Sequence, residues 1–416
     1  ESIISETDIS SVIVAELGDL QAPLRRFSIN FAAKFLKSAV PDYRLSNAAA
    51  FRDCYTYQSH SLPAQFETGS GDELAAILYT GGTTGYSKGA MLSHNNLIAN
   101  MMQLWSRCGL IIGEGVEVIA APLPLYHSYA FLLHFLAMPY AGNLSVLIPN
   151  PRDLDSVLSA FVKHKISGFV GINTLYLALL EHPAFCALDF SDLRFCGAGG
   201  MALSSSIAKR WEHLTGCEIF EGYGLTECSP VVSVNLPSKV RLGTVGELVP
   251  ETEIMAIDDA GQAVGIGERG EACIRGPQVM LGYWQQVEAT RDAITEDGWF
   301  KTGDYVEISE DGYITVVDRK KDMILVSGFN VFPTEIEDWV NQHADVLESA
   351  AIGVPDERRG ERVKLYVVRK SENLSAEQIT EHCALGLTAY KMPKEIVFAD
   401  ELPKSLIGKI LRKELK

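Results

Sequence analysis

The sequence has no excess of positive charge. Its 36 Lys and Arg face 53 Asp and Glu, a formal net charge of −17, which sets nucleic acid aside as a general partner. A polyanionic ligand would have to meet a local cluster of donors instead. The eight cysteines (Cys54, Cys108, Cys186, Cys196, Cys217, Cys228, Cys273, Cys383) include no Cys-x-x-Cys pair. They read as reduced, buried thiols of a cytosolic protein rather than as zinc ligands or disulfides. Residues 118–151 lack Asp, Glu, Lys and Arg. That length invites a transmembrane reading, but Pro122, Pro124, Pro139, Pro149, Gly142 and Asn143 interrupt it, so it reads as strand, buried helix and strand. Internal repeats and low-complexity tracts are absent. The Gly-Lys-Ser/Thr ending of the common P-loop is absent too, which disfavours a Gly-loop kinase or ATPase. The chain opens at Glu1 without an initiator Met or a signal-peptide pattern.

What is present centres on YTGGTTGYSKG, residues 79–89. An apolar run, Leu74 to Leu78, precedes it and reads as a buried strand. His94 to Trp105 follows with helical spacing, Leu97, Met101 and Leu104 falling on one side. A strand, a Gly-rich loop and a helix form an arrangement that cradles phosphates: glycines bring backbone N–H groups close, Thr hydroxyls donate, and Lys88 neutralises charge. A flexible surface loop is the plainer alternative.

From 74 to about 221, apolar runs at 118–121, 145–148, 168–171, 193–196 and 218–220 alternate with helical patterns near 127–140, 153–164, 174–181 and 204–215. Such alternation predicts parallel strands with crossover helices and ligands at the carboxyl ends of the strands. The Gly-rich loop, CGAGG (196–200) and EGYGLTE (221–227) each follow a strand end, so three loops can converge on one crevice. From about 240, short strands and turns predict an antiparallel, barrel-like unit. The remainder predicts a helix near 333–342, strands at 347–353 and 363–369, a helix at 375–386 and a strand at 395–399, enough for a small α+β domain. Near the start, residues 25–40 form a basic amphipathic stretch with Phe27, Phe31, Phe35 and Ala39 at helical spacing. It reads either as a surface helix packed on the domain or as a dock for an anionic membrane surface.

Several single residues could carry chemistry. Glu227 could hold Mg²⁺ beside phosphates, or simply cap a helix. Tyr223 could stack on a base or be structural. Asp304, in WFKTGD, could accept ribose hydroxyls or merely end a turn. Arg319 and Lys321 sit in a charged run of the kind that usually faces solvent. Lys409 follows a glycine in a tail that reads as exposed.

In this order, YTGGTTGYSKGAMLSHNN, LPLYHSYAF, EGYGLTECSP, GPQVMLGYW, DRKKDMILVSGFNVFP and LPKSLIGKILR resemble the adenylate-forming superfamily along almost the whole chain. The similarity is nearest to bacterial long-chain fatty-acid–CoA ligases. The resemblance implies an α/β fold: a large domain (1–317) of parallel α/β layers plus the antiparallel unit, a hinge (318–321) and a small mobile α+β domain (322–416). It implies that a long-chain fatty acid attacks the α-phosphate of ATP with Mg²⁺, and that coenzyme A then displaces AMP. Thr80, Gly81, Gly82, Thr83, Thr84, Gly85 and Lys88 would hold the phosphates, and Thr80 and Glu227 would share Mg²⁺. Gly199, Gly200, Met201, Glu221, Gly222, Tyr223, Gly224 and Thr226 would surround the nucleotide, and Asp304 and Arg319 would hold the ribose. Lys409 would bridge carboxylate and α-phosphate during adenylation only, Lys321 would mark the hinge, and Gly328 would line the coenzyme A route in the second conformation. His127, Tyr129, Phe131 and Asn173 would belong to the acid pocket, with the segments 131–138 and 172–180 as its walls and Tyr129 or Phe131 as its gate.

Departures from the superfamily pattern are Gly82 for a frequent Ser, Ser87 for Pro, and Asn173 for Pro. A substantial N-terminal subdomain of the family is expected to be missing before Glu1. The implied location is cytoplasmic, with peripheral contact at the inner membrane face through residues 25–40. Oligomeric state stays open, a homodimer included. Loading of a carrier protein instead of coenzyme A, and a catalytically silent nucleotide- or lipid-binding chain, stand as alternatives.

Overall fold

The runs read as strands between 118 and 224 pair side by side and parallel. Their spatial order is Leu144–Leu147, Val118–Ala121, Gly168–Gly171, Phe195–Gly199 and Ile219–Gly224. Val231–Val234 and Glu247–Leu248 extend the sheet antiparallel, giving seven strands. The computed structural model describes every residue except 1–3, 37, 39, 42, 44, 46–47, 57–68, 81–86, 110, 238 and 406–407. Residues 1–69 and 70–416 form two compact units.

Within 70–416, the crossovers are helical where the spacing predicted. Ser128–Ala130 runs through Phe131–Ala137 into Met138–Tyr140, followed by Leu154–Lys163, Asn173–Leu180 and Ser205–Thr215. Gly168–Gly171 is buried at every position, as befits a central parallel strand covered on both faces. Trp211, from the last helix, is fully buried with Tyr176, Phe169 and Phe185. Its ring stacks on Phe169 at 5.6 Å and meets Tyr176 edge-on at 4.7 Å. Burying each such aromatic contributes about 1.5–3 kcal/mol, and together they fix the helices to the sheet.

One local reading changes. The strand Leu74–Thr80 does not lead through the Gly-rich loop into a helix. The chain returns first as the strand Lys88–Ser93, antiparallel to it, with Thr80 opposite Lys88. The helix His94–Cys108 starts only after that, fixed by a capping box between Ser93 and Asn96. The hairpin joins Gly282–Tyr283 in a separate three-stranded sheet. KGAML pairs because its small and apolar side chains fit against ILYT and the 280–283 segment.

The strands after 250, Glu253–Ile257, Arg269–Arg275, Phe300–Ile308 and Ile314–Arg319, form a four-stranded antiparallel sheet. Beyond it, Ile324–Val326, Phe329–Val331, Val346–Asp356, Gly360–Arg369 and Glu395–Ala399 make a five-stranded sheet. Packed with Pro333–Val340 and Ala376–Ala384, this sheet encloses its own apolar core around Ile336, Leu365 and Ile379.

In the unit 1–69, two three-residue strands, Val12–Val14 and Ala48–Ala50, pair in parallel. Pro23–Phe31 is helical and continues as a π-turn, Ala32–Leu36. Leu24, Phe27 and Phe35 are exposed, with Phe27, Phe31 and Phe35 in a ring row. Arg26 is neutralised locally by Glu16 and Asp19 at 3.2 and 3.3 Å. None of the described helices is long and apolar enough to cross a membrane.

Candidate active site

At the carboxyl edge of the parallel sheet lies a cavity of about 800 Å³ within residues 70–416, a size suited to a small-molecule site. Gly199 and Gly200 line it at one strand end, and Gly222 to Glu227 at the next. Thr80 and Lys88 line it from the two sides of the hairpin. His127, Ser128 and Tyr129 enter from the segment after Val118–Ala121. Gly224 is required here by close approach, since a Cβ would lie 2.0 Å from the Pro230 carbonyl.

The charge of this cavity opposes that of the chain. Among the described residues, eight Lys and Arg line it against two carboxylates, Glu227 and Asp322. Low-dielectric walls strengthen such a field, so the site favours a polyanion. Asp304 is 2% exposed and sits just behind the lining. Tyr223 donates to its Oδ2 at 2.7 Å, and Arg319 Nε meets its Oδ1 at 2.9 Å. Glu227 accepts from the Tyr283 hydroxyl at 2.8 Å, and Lys88 Nζ lies 4.8 Å from the centre of the Tyr283 ring. Ser128 and Thr226 share a hydroxyl hydrogen bond of 3.1 Å.

Lys409 reaches this cavity from the last segment of the chain. Its turn is closed by Ser405 N–H to the Lys409 carbonyl at 2.8 Å and by Lys409 N–H to Ser405 Oγ at 3.1 Å. A Cβ on Gly408 would lie 2.6 Å from Thr174 Oγ1, so the turn is pressed against the start of the helix Asn173–Leu180. Burial, then the charge of Arg319, pulls the Lys409 ammonium down to about 8. Burial, then the charge of Lys409, likewise lowers His127. Burial, then Arg319, lowers Lys321, which lines the cavity beside Asp322. Further on, Arg412 grips Glu337 at 3.1 and 2.6 Å, anchoring the tail to Pro333–Val340.

The structure therefore brings Thr80, Lys88, Gly199, Gly200, Gly222, Tyr223, Gly224, Thr226, Glu227, Arg319, Lys321, Lys409, His127 and Tyr129 onto one cavity, with Asp304 directly behind. Gly81, Gly82, Thr83, Thr84 and Gly85 lie outside the described residues. Other residues lie elsewhere. Glu221 turns its buried carboxylate to the Leu203 N–H at 3.0 Å, and burial pushes it up to about 8. Asn173 accepts from the Ser204 N–H at 2.9 Å. Phe131 stacks on Phe135 with 5.1 Å between centres, and Met201 packs on the core of the parallel sheet. Gly328 forms an exposed turn at φ +84° between two strands of the C-terminal sheet.

The cavity also runs into the apolar core. Leu133, Ala137 and Met138 line it, as the 131–138 segment suggested, together with Val170, Phe195 and Phe220. The 172–180 segment gives no lining residue among those described. Leu104, Trp105, Cys108 and Ile112 do instead. Those residues, and Tyr283, were not assigned to the site from the sequence. The i, i+4 spacing of Leu104 and Cys108, continuing the Leu97–Met101 stripe, was the available signal for the first group.

Among the described residues no three His, Cys, Asp or Glu side chains gather as a metal cage. Mg²⁺ needs no such cage when it arrives with phosphates, since one or two protein oxygens suffice. Glu227 and the Thr80 hydroxyl, which donates to the Lys88 carbonyl at 3.3 Å and keeps its lone pairs, supply that donor type.

Comparison with known proteins agrees with this geometry. The sequence model of the family described as AMP-binding enzyme matches residues 2–284, and that of the AMP-binding enzyme C-terminal domain matches residues 335–409. The chain is 45% identical over 418 residues to a long-chain-fatty-acid–CoA ligase of Salmonella typhimurium, covering 100% of this chain and 74% of that protein. It is 44% identical over 420 residues to the enzyme of the same name from Escherichia coli O157:H7, with the same coverage. Among solved structures, ATP-bound MatB from Rhodopseudomonas palustris superposes with a TM-score of 0.82 at 31% identity, over 97% of this chain and 78% of that one. With both of the family's parts matched along its length and a charged cavity where they meet, the chain belongs to the AMP-binding enzymes, the adenylate-forming family.

Proposed function

We propose that this protein ligates a long-chain fatty acid to coenzyme A at the expense of ATP, through an acyl-adenylate, releasing pyrophosphate and AMP. The observation that carries the reading is the continuity of one cavity. Its wall holds Lys88, Glu227, Arg319 and Lys409 together with Leu133, Ala137, Met138 and Phe195. A triphosphate and an apolar acid can thus occupy one space, and relatives at 44–45% identity are named for a long-chain fatty acid and CoA.

In the adenylation step the carboxylate oxygen attacks the α-phosphorus and pyrophosphate leaves. Two anions must meet, so the chain supplies cations: Lys88 toward the β- and γ-phosphates, Lys409 between the carboxylate and the α-phosphate. Desolvation by the apolar wall makes these charges more effective than in water. Tyr223 and Gly199 flank the adenine, and Arg319 and Asp304 bind the ribose. Bound Mg²⁺, held by Glu227 and Thr80, would neutralise the phosphate oxygens. Residues 318–321 act as the hinge on which 322–416 turns, withdrawing Lys409 and bringing Gly328 to the thiol's path. The thiolate then displaces AMP, forming the thioester.

Membrane contact belongs to the same proposal. The exposed Leu24, Phe27 and Phe35 with Arg25 and Lys34 suit shallow docking on an anionic surface, where a cytoplasmic enzyme would meet its acid. The test of the function is an acid-panel assay that scores acyl-adenylate and thioester separately. Thioester formation strongest with acids of long chain supports it; adenylate formed only with short or aryl acids would overturn the substrate class.

A further inference from the structure

Tyr283 stands between the two opposite charges that face the phosphate side of the cavity. Its place is set by backbone ladders on either side. Leu281 N–H and Trp284 N–H donate to Met91 and Gly89, on the strand that begins at Lys88. Met280 N–H donates to the carbonyl of Glu227 at 2.8 Å. The ring is 7% exposed, packed with Ala90, Met280 and Phe300. From that fixed position its face receives the Lys88 ammonium at 4.8 Å and its hydroxyl donates to Glu227 Oε1 at 2.8 Å.

A Lys and a Glu lining one water-poor cavity would be expected to pair, and a pair so formed would be lost to the ligand. Here each is engaged by Tyr283 rather than by the other. We propose that Tyr283 is a positioning residue that keeps Lys88 and Glu227 apart and pre-aimed. The ring face stores the cation until phosphate draws it away. The hydroxyl occupies one carboxylate oxygen of Glu227, so that the other is presented singly to a divalent cation. This inference rests on the reading of Glu227 as a metal ligand given above.

The two halves of the tyrosine are separable. Tyr283→Phe keeps the ring and removes the hydroxyl. Tyr283→Leu removes both. Binding of Mn²⁺ in the presence of a non-hydrolysable ATP analogue, read from the electron paramagnetic resonance signal of free Mn²⁺, reports the metal side without turnover. The KM for ATP at saturating Mg²⁺ reports the Lys88 side. Y283F should weaken Mn²⁺ binding about tenfold, the scale of one hydrogen bond to a charged group, with the KM for ATP and the melting temperature close to the parent's. Y283L should weaken Mn²⁺ binding and also raise the KM for ATP. Glu227→Gln serves as the control. Loss of Mn²⁺ binding in E227Q with parent-like binding in Y283F would overturn the role of Tyr283 alone. Parent-like binding in E227Q would overturn the metal reading itself. Weaker Mn²⁺ binding and an equally raised KM for ATP in Y283F, together with a lowered melting temperature, would reduce Tyr283 to packing and overturn the inference.

Discussion

Tyr223 donates its hydroxyl to Asp304 at 2.7 Å while Arg319 meets the other oxygen of the same carboxylate at 2.9 Å. The end of a parallel strand and two antiparallel strands are thereby tied at one buried anion, which is 2% exposed. Asp304→Ala should cost about 1–3 kcal/mol of stability, because the buried Tyr223 hydroxyl loses its acceptor. The Arg319 pairing adds little to that figure, since its side chain is 36% exposed and solvent screens it. The same variant should raise the KM for ATP. Chemical denaturation and initial-rate kinetics check both, and parent-like values in each would remove Asp304 from the nucleotide site.

The ammonium of Lys409, drawn down to about 8 by burial and then by Arg319, should give adenylation an alkaline limit. A lysine is charged below its pKa and neutral above it. The kcat/KM for ATP, which reports the free enzyme, should therefore fall about tenfold per pH unit above that point. Bound anions favour the charged form, so the limb in kcat should lie higher. Lys409→Arg, which stays charged throughout, should abolish the limb even where it lowers the rate. A limb unchanged in the arginine variant would assign it to another group.

Ala137 is 1% exposed and lines the apolar part of the cavity. Ala137→Leu adds three carbons there and should displace about three methylenes of the acid. At about 0.8 kcal/mol per methylene, preference should move toward shorter chains by on the order of fiftyfold. The ratio of kcat/KM for a C16 acid to that for a C12 acid (about those lengths) measures it. An unchanged ratio would place the alkyl chain elsewhere.

Gly408 has φ +79°, and a Cβ there would lie 2.6 Å from Thr174 Oγ1 and 2.9 Å from Ile172 Cδ1. Gly408→Ala should strain the turn by about 1–2 kcal/mol and push it, with Lys409, away from the start of the helix Asn173–Leu180. Adenylation should drop about tenfold, with thioester formation from supplied acyl-adenylate retained. Loss of both steps alike would mean that the turn matters in both conformations.

The strand and helix order from 118 to 224 was legible because buried parallel strands read as short apolar runs and their crossover helices carry a stripe. The convergence of CGAGG and EGYGLTE on one cavity was legible through their glycines at strand ends. The hairpin was not. KGAML is too short to show a period, and its strand character comes from pairing with Leu74–Thr80, a tertiary fact. Tyr283 escaped notice for a similar reason: only the ladder to Gly89 and Met91 turns its hydroxyl toward Glu227, 56 positions earlier in the chain. Lys409 would by composition be a solvent-facing tail residue; its burial follows from the packing of Gly408 on Thr174, and only the resemblance of PKSLIGKILR pointed there.

Lys409 acts in the first half-reaction and stands aside in the second under the proposed mechanism. Single-turnover assays of Lys409→Ala, one from acid and ATP and one from supplied acyl-adenylate and coenzyme A, test this directly. The first should be slower by on the order of 10²–10³-fold, as for other transition-state donors, and the second should match the parent. Equal losses in the two would contradict the account.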